Sequence, residues 1–384
     1  MSISLALLFC SLFTWGIGEG MFIYFQPIYL QQLGANTMTI ASVFGAFGLA
    51  MMLAHIPAGY LADRIGRKPV MLAAWSSGLI ATWLMALARS LPAFIVGILL
   101  YGLTAFVSAP LNSYVTAARG KLTPVRAMTL MSASFNLGAV LGPMTGGWLG
   151  DRFGLRTVYL VAACIFIIST GILFFIRSQN REEHDPAAPP ARLRQNKRFI
   201  MLVGVVFVAM FVMYLPQPLT PRFLQNERGL SLGLIGFLGS VGSFGNAALN
   251  LILGQVAART GFLLAQVLVA AFSLLLWKGL GIPWYALGFF LLGGYRAARS
   301  FIYAQARPLV HPAQMGLAYG VAETFNSLSM TLAPLLAGIL YTRAPVIVYP
   351  ITMGLMVVTI LLTLAFAPRQ AVDEPASAGQ VLEL

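Results

Sequence analysis

Residues 59–68, Gly59-Tyr60-Leu61-Ala62-Asp63-Arg64-Ile65-Gly66-Arg67-Lys68, form a short polar stretch between two long apolar runs. After Leu61 it holds Asp63, Arg64, Gly66, Arg67 and Lys68, whereas the flanks are almost wholly apolar. A soluble core has no place for such a break, but a bilayer does. It reads as a tight loop on one membrane face, joining two transmembrane helices. Gly59 and Gly66 let the helix ends close on each other, Gly66 by accepting a positive φ. Arg64, Arg67 and Lys68 mark the cytoplasmic side. Asp63, a carboxylate among cations near a helix end, is placed to bond a neighbouring helix terminus or those cations.

Composition agrees. Of 384 residues, 59% are hydrophobic and only 9% charged, where soluble domains carry about a quarter charged. A net charge of +13 would suit nucleic acid if the cations shared one folded face. They lie instead in short loops between apolar spans, so no nucleic-acid partner is expected. Cys10 and Cys164 sit inside apolar runs and offer no disulfide framework. The first apolar run begins next to Met1 without a basic leader or a small-residue cleavage site, and is read as a retained first helix.

Runs long enough to cross a bilayer number twelve, from 4–30 to 345–367, each needing about 20 apolar residues. The expected fold is therefore an all-α membrane protein with twelve transmembrane helices in two pseudo-symmetric six-helix bundles. Residues 1–176 would form the first bundle and 199–367 the second. Between them 177–198 is polar, charged and proline-containing, and reads as a cytoplasmic linker; 368–384 reads as a cytoplasmic tail. Lys and Arg are in excess in the loops on the side of Arg64, so both termini are expected in the cytoplasm, with the protein multi-pass in the inner membrane.

The chain also echoes itself. A shift of 195 lays Gly254 to Gly261 over Gly59 to Gly66, keeping glycines and an arginine but putting Ala258 where Asp63 stands. A shift of 191 lays Pro334 and Gly338 over Pro143 and Gly147, and Pro283, Gly288 and Gly293 over Pro92, Gly97 and Gly102. Such echoes at nearly one offset indicate duplicated halves. The 59–68 stretch resembles the loop signature between helices two and three of the major facilitator superfamily. That resemblance implies a secondary transporter, with Gly59, Asp63, Arg64, Gly66, Arg67 and Lys68 as a cytoplasmic latch. The fifth span carries Gly138, Gly142, Pro143, Gly146 and Gly147, small residues that let helices approach closely around a proline kink. The string is similar to the fifth-helix motif of the drug:proton antiporter branch, which implies export. The branch often has an arginine four residues before a glycine in helix four; taking that glycine as Gly102, Ile98 stands there, a departure from the branch.

Ionisable side chains at bilayer depth are costly and normally face a cavity or a partner. Four qualify. Glu19 lies on the stripe Trp15, Glu19, Phe22, Gln26 and Tyr29, whose helical spacing gathers aromatic and polar groups on one face. It is expected to line a pore and carry a proton, or else to be a structural hydrogen-bonding partner. Arg296 and Arg299 share a face with Tyr303. They either find a carboxylate in Glu323 or hold an anionic group of a substrate. Glu323 shares its face with Asn326, and is either the partner of the arginines or a second proton site. His55, Asn112, Gln217, Asn246 and Asn250 are read as interhelical hydrogen bonders or as cavity lining.

Enzyme chemistry finds no support: no Walker loop, no G-x-S-x-G, no Cys/His metal spacing. No metal and no cofactor are expected. The functional expectation is proton-coupled export of a small amphipathic compound by a monomer in a lipid bilayer. Glu19 and Glu323 would carry protons, and Trp15, Glu19, Phe22, Gln26, Arg296, Arg299, Tyr303, Glu323 and Asn326 would line the substrate site. Its rivals are uptake or flipping of an anionic or lipid-like substrate held by Arg296 and Arg299, and a non-transporting sensor.

Overall fold

The computed structural model of the chain describes residues 2–122, 124–178, 193–310 and 315–367, with the side chains of 55–64, 109, 124, 125, 194, 315 and 316 outside that description. Every regular element among the described residues is helical. In chain order these are α1 (Ile3–Ile23), α2 (Gln26–Gln32), α3 (Thr37–Ile65), α4 (Arg67–Leu87), α5 (Leu91–Leu103), α6 (Ser108–Ala118), α7 (Pro124–Phe153) and α8 (Leu155–Phe174). The second half has α9 (Lys197–Tyr214), α10 (Thr220–Asn226), α11 (Leu232–Leu253), α12 (Ala258–Lys278), α13 (Ile282–Ala306), α14 (Met315–Arg343) and α15 (Val348–Phe366).

Nine helices among the described residues are long and apolar enough to cross a membrane, and ten if the bent run from Leu91 to Ala118 counts as one. Twelve were expected from the sequence. The long helices α7 and α13 are missing from the nine, and each has a reason. The first carries Ser132, Ser134, Asn136 and Asp151, and the second Arg296 and Arg299. Both turn polar groups toward other helices, which lowers their hydropathy without shortening them. Large apolar side chains elsewhere stand outward, such as Leu251 at 65% and Leu361 at 60% exposed, as a lipid-facing surface requires.

Three of the expected spans are broken, one of them the bent run from Leu91 to Ala118. Pro27 at the start of α2 and Pro221 at the start of α10 lack the N–H that a continuous helix would use, so the chain bends before each. At the polar stretch that opened the sequence, Gly66 takes φ +96°, a left-handed value that a side chain would resist. It separates α3 from α4 in a single residue. The latch side chains of Gly59, Asp63 and Arg64, and His55, lie outside the described residues. Of the rest, Lys68 Nζ donates to the Phe174 carbonyl at 3.1 Å, tying α4 to α8 in the same half. Most of the linker, and the tail from residue 368, also lie outside the description.

The fifth-span glycines sit against backbone. Gly138, Gly142 and Gly146 lie over the Phe13, Ile17 and Met21 carbonyls of α1, while Gly147 lies over the Leu232 carbonyl of α11. Pro143 O faces Gly236 in the same seam. A Cβ built on Gly146 would come 2.1 Å from Met21 O, a distance that real Cβ atoms essentially never show. We therefore expect Gly146→Val to cost more than the ~1–3 kcal/mol typical of overpacking, read as a lowered thermal midpoint of the purified protein. Gly171→Ala, where an added Cβ would meet nothing within 4 Å, should leave the midpoint unchanged.

Candidate functional site

Glu19 sits in the last turns of α1, half-buried, and its carboxylate is held from two sides. Trp15 Nε1 donates to Oε2 at 3.1 Å and the Tyr101 hydroxyl donates to the same oxygen at 2.9 Å. Both donors are fixed by packing. The Trp15 ring lies 5.0 Å from Trp75 and 4.2 Å from Phe166, and Tyr101 packs edge-on against Phe22 at 5.4 Å. Trp75 in turn donates to Ser11 and Ser169, so the aromatic group is keyed to α1 and α8 by hydrogen bonds.

This places the first-helix stripe differently from the sequence expectation. Trp15, Phe22, Gln26 and Tyr29 are buried, Phe22 completely. Phe22 and Tyr29 stack on Tyr159 of α8, at 5.3 and 5.2 Å. The stripe faces the interior of the first half, and only Glu19 reaches a gap with the second. Periodicity identified the face correctly but not the neighbour it meets.

That gap is partly open and leaves about 10 Å³ of free cavity, room for about one water. Its walls are Glu19, Gly20, Ile23 and Tyr24 of α1 and the turn after it, Phe135 and Ala139 of α7, Ser243 of α11 and Arg296 of α13. Ligand pockets run ~300–1,000 Å³, so in this state the gap is closed to an organic compound. Glu19 and Arg296 face it together yet form no ion pair among the described residues.

Further along α13 the charges do pair. Arg299 Nη2 lies 2.7 Å from Glu323 Oε2 of α14, the Tyr303 hydroxyl donates to Oε1, and the Asn326 amide reaches Oε2 at 3.4 Å. Glu323, predicted to be either a proton site or an arginine partner, is brought together with Arg299, Tyr303 and Asn326. Removing one member would strand the other charge. Arg299 is 41% exposed on its side chain, so the loss for Glu323→Ala should be about 1–3 kcal/mol, below the ~3–5 kcal/mol of fully buried pairs. A double-mutant cycle on thermal stability should show Arg299→Ala/Glu323→Ala losing less than the sum of the single changes.

Two groups at the opposite end from Gly66 were not anticipated. Arg222 of α10 donates to Gln31 Oε1 at 2.8 Å and to Thr37 Oγ1 at 2.7 Å, and Asn226 adds a bond to Gln31 at 3.0 Å. Asp151, at the end of α7, accepts from the N–H groups of Leu232 and Gly233 at 2.9 and 2.7 Å, capping α11. Both ties join the first half to the second. Mid-way along the same seam Asn246 donates to Asn136 at 2.8 Å. At the Gly66 end, bonds such as Ser2 to the Ala118 carbonyl and Arg259 to the Leu364 carbonyl stay within one half.

A helical membrane protein with charged groups gathered between two sequence halves is the architecture of a carrier, and comparisons with known proteins agree. The Major Facilitator Superfamily model matches residues 8–298 and 202–382. The chain belongs to the Major Facilitator Superfamily, a family of transporters and not of enzymes. It is 27% identical over 179 residues to an uncharacterized MFS-type transporter of Methanocaldococcus jannaschii, 45% of this chain and 46% of that protein. It is 30% identical over 171 residues to the multidrug resistance protein MdtG of Klebsiella pneumoniae, 43% of this chain and 42% of that one. The match thus spans under half the length of these relatives. Among solved structures, the nucleoside transporter NupG superposes with a TM-score of 0.74 at 15% identity, covering 95% of this chain and 98% of that one. The human organic anion transporter MFSD10 (TETRAN) gives 0.69 at 16%, covering 94% and 100%.

Proposed function

We propose that the chain is a secondary active transporter that exports a small amphipathic organic compound in exchange for protons. It would do so by alternating access between two six-helix halves, 1–176 and 199–367. The twelve spans of this reading join α1 with α2, α5 with α6 and α9 with α10, and include the less apolar α7 and α13. The observation that carries it is the gap between α1, α7, α11 and α13, which both halves line and into which Glu19 and Arg296 face. A carboxylate held there by two neutral donors can take a proton from one side and release it to the other. Resemblance to MdtG supports the direction. The excess of cations in the loops on the Gly66 side supports a cytoplasmic position for that side and for both termini. The Arg222 and Asp151 ties then close the outer end.

Reconstitution into proteoliposomes under an imposed pH gradient tests the reading. Export by antiport moves protons opposite to substrate, with the sign of lumenal pH change set by orientation. A pH change that follows substrate in the same direction would turn the reading into uptake. A second reading, transport of an anionic compound, is favoured by Arg296, which has no carboxylate within ion-pair distance among the described residues.

A further inference from the structure

We propose that the gap between Glu19 and Arg296, once the halves part to widen it, takes a zwitterion, a compound carrying an ammonium and a carboxylate or phosphate on one small amphipathic frame. This rests on the reading of the gap as the substrate site, but not on the direction of transport or on proton coupling. The argument begins with unequal satisfaction of charge. Arg299 has its carboxylate in Glu323. Arg296, one helical turn away on the same helix, makes no hydrogen bond or ion pair among the described residues, although it is an obligate cation facing the gap. Glu19, which lines the gap, receives both its hydrogen bonds on Oε2, from Trp15 and Tyr101, and Oε1 takes none among the described residues.

Opposite charges that share a cavity wall without closing on each other leave each other's field unneutralised at bilayer depth, where charge is costly. A ligand with one charge answers one wall and leaves the second stranded. A neutral ligand answers neither. A ligand with both charges answers both, its ammonium to Glu19 and its anion to the Arg296 guanidinium, through charge-assisted hydrogen bonds. Apart from Ser243, the rest of the wall is mostly apolar and aromatic, with Ile23, Tyr24, Phe135 and Ala139, so the frame between the charges should be mainly apolar as well. The ammonium and a proton would contest one carboxylate, so that loading Glu19 with either expels the other.

The test is binding to the purified full-length chain in detergent at neutral pH by titration calorimetry, with no gradient present. The probes are matched sets on two aromatic frames. L-phenylalanine and L-tryptophan are the zwitterions, their amides carry only the cation, and their N-acetyl derivatives only the anion. We expect one or both zwitterions to bind about ten- to a hundred-fold tighter than either singly charged relative. Arg296→Gln should erase the preference over the amide, and Glu19→Gln the preference over the N-acetyl form, while both variants keep the unliganded melting temperature of the parent. The proposal is overturned if an amide or an N-acetyl form binds as well as its zwitterion, if no member of either set binds, or if Glu19→Gln/Arg296→Gln keeps the zwitterion preference. A chain that shows this selectivity but moves no protons in proteoliposomes refutes the antiport reading alone. One that antiports without the selectivity refutes the zwitterion alone.

Discussion

Glu19→Gln is expected to abolish proton-coupled transport while leaving the protein folded. The glutamine carbonyl can accept from Trp15 Nε1 and the Tyr101 hydroxyl as the carboxylate does, at 3.1 and 2.9 Å, so the aromatic group around it keeps its hydrogen bonds. What disappears is the ability to ionise. In proteoliposomes, substrate driven by a pH gradient should fall by about a hundred-fold or more, the scale set by losing a positioned proton acceptor. Downhill exchange of substrate without a gradient should persist at a measurable rate. Glu19→Ala makes a useful contrast, since it strands two buried donors and should lower the melting temperature as well, at about 1–3 kcal/mol for each unsatisfied group. Unaltered gradient-driven transport in Glu19→Gln would remove this carboxylate from the mechanism.

Arg222→Ala is expected to release the end of the molecule opposite Gly66. The guanidinium bridges Gln31 and Thr37 across the two halves, and lies 5.3 Å over the Tyr341 ring. Hydrogen bonds from a charged donor are worth about 1.5–3 kcal/mol each, and the half-exposed position of Arg222 puts the pair toward the low end. A loss of even ~1.4 kcal/mol shifts a two-state population tenfold. Spin labels at the exposed positions Gln32 and Glu227, in a background with the exposed cysteines Cys10 and Cys164 replaced by serine, would read the opening as a distance distribution. We expect a longer component to appear in Arg222→Ala. A distribution superimposable on the parent would mean that Asp151 and the glycine seam close this end unaided.

Much of the fold could be read before the structure, because a bilayer imposes coarse rules. Long apolar runs, cations sorted by loop and the 59–68 turn indicated a helical transporter without reference to packing. Glu19, Arg296, Arg299 and Glu323 were legible because charge inside an apolar run is conspicuous. Partners were harder. Tyr101, the second donor to Glu19, is an aromatic residue in an aromatic-rich chain, and nothing local distinguishes it. Arg222 sits at a span edge, where cations are ordinary. Asp151 sits at a helix end, where charges are ordinary, yet its carboxylate caps α11. The helix breaks before α2 and α10 did leave a signal, since Gln26-Pro27 and Gln217-Pro218 repeat at the 191-residue offset seen elsewhere. Periodicity gives a face; only tertiary structure says what that face touches.

The seam where Gly147 lies on the Leu232 carbonyl and Gly236 on the Pro143 carbonyl has almost no rotamers in it. Two surfaces made mainly of main chain can tilt past each other without unlocking interdigitated groups, so the swing of one half against the other need not pay side-chain entropy at its axis. The resistance to that motion is then set at the rim, by Arg222 and Asp151. In the proposed cycle, the walls of the gap can then vary in size and polarity without stiffening the pivot.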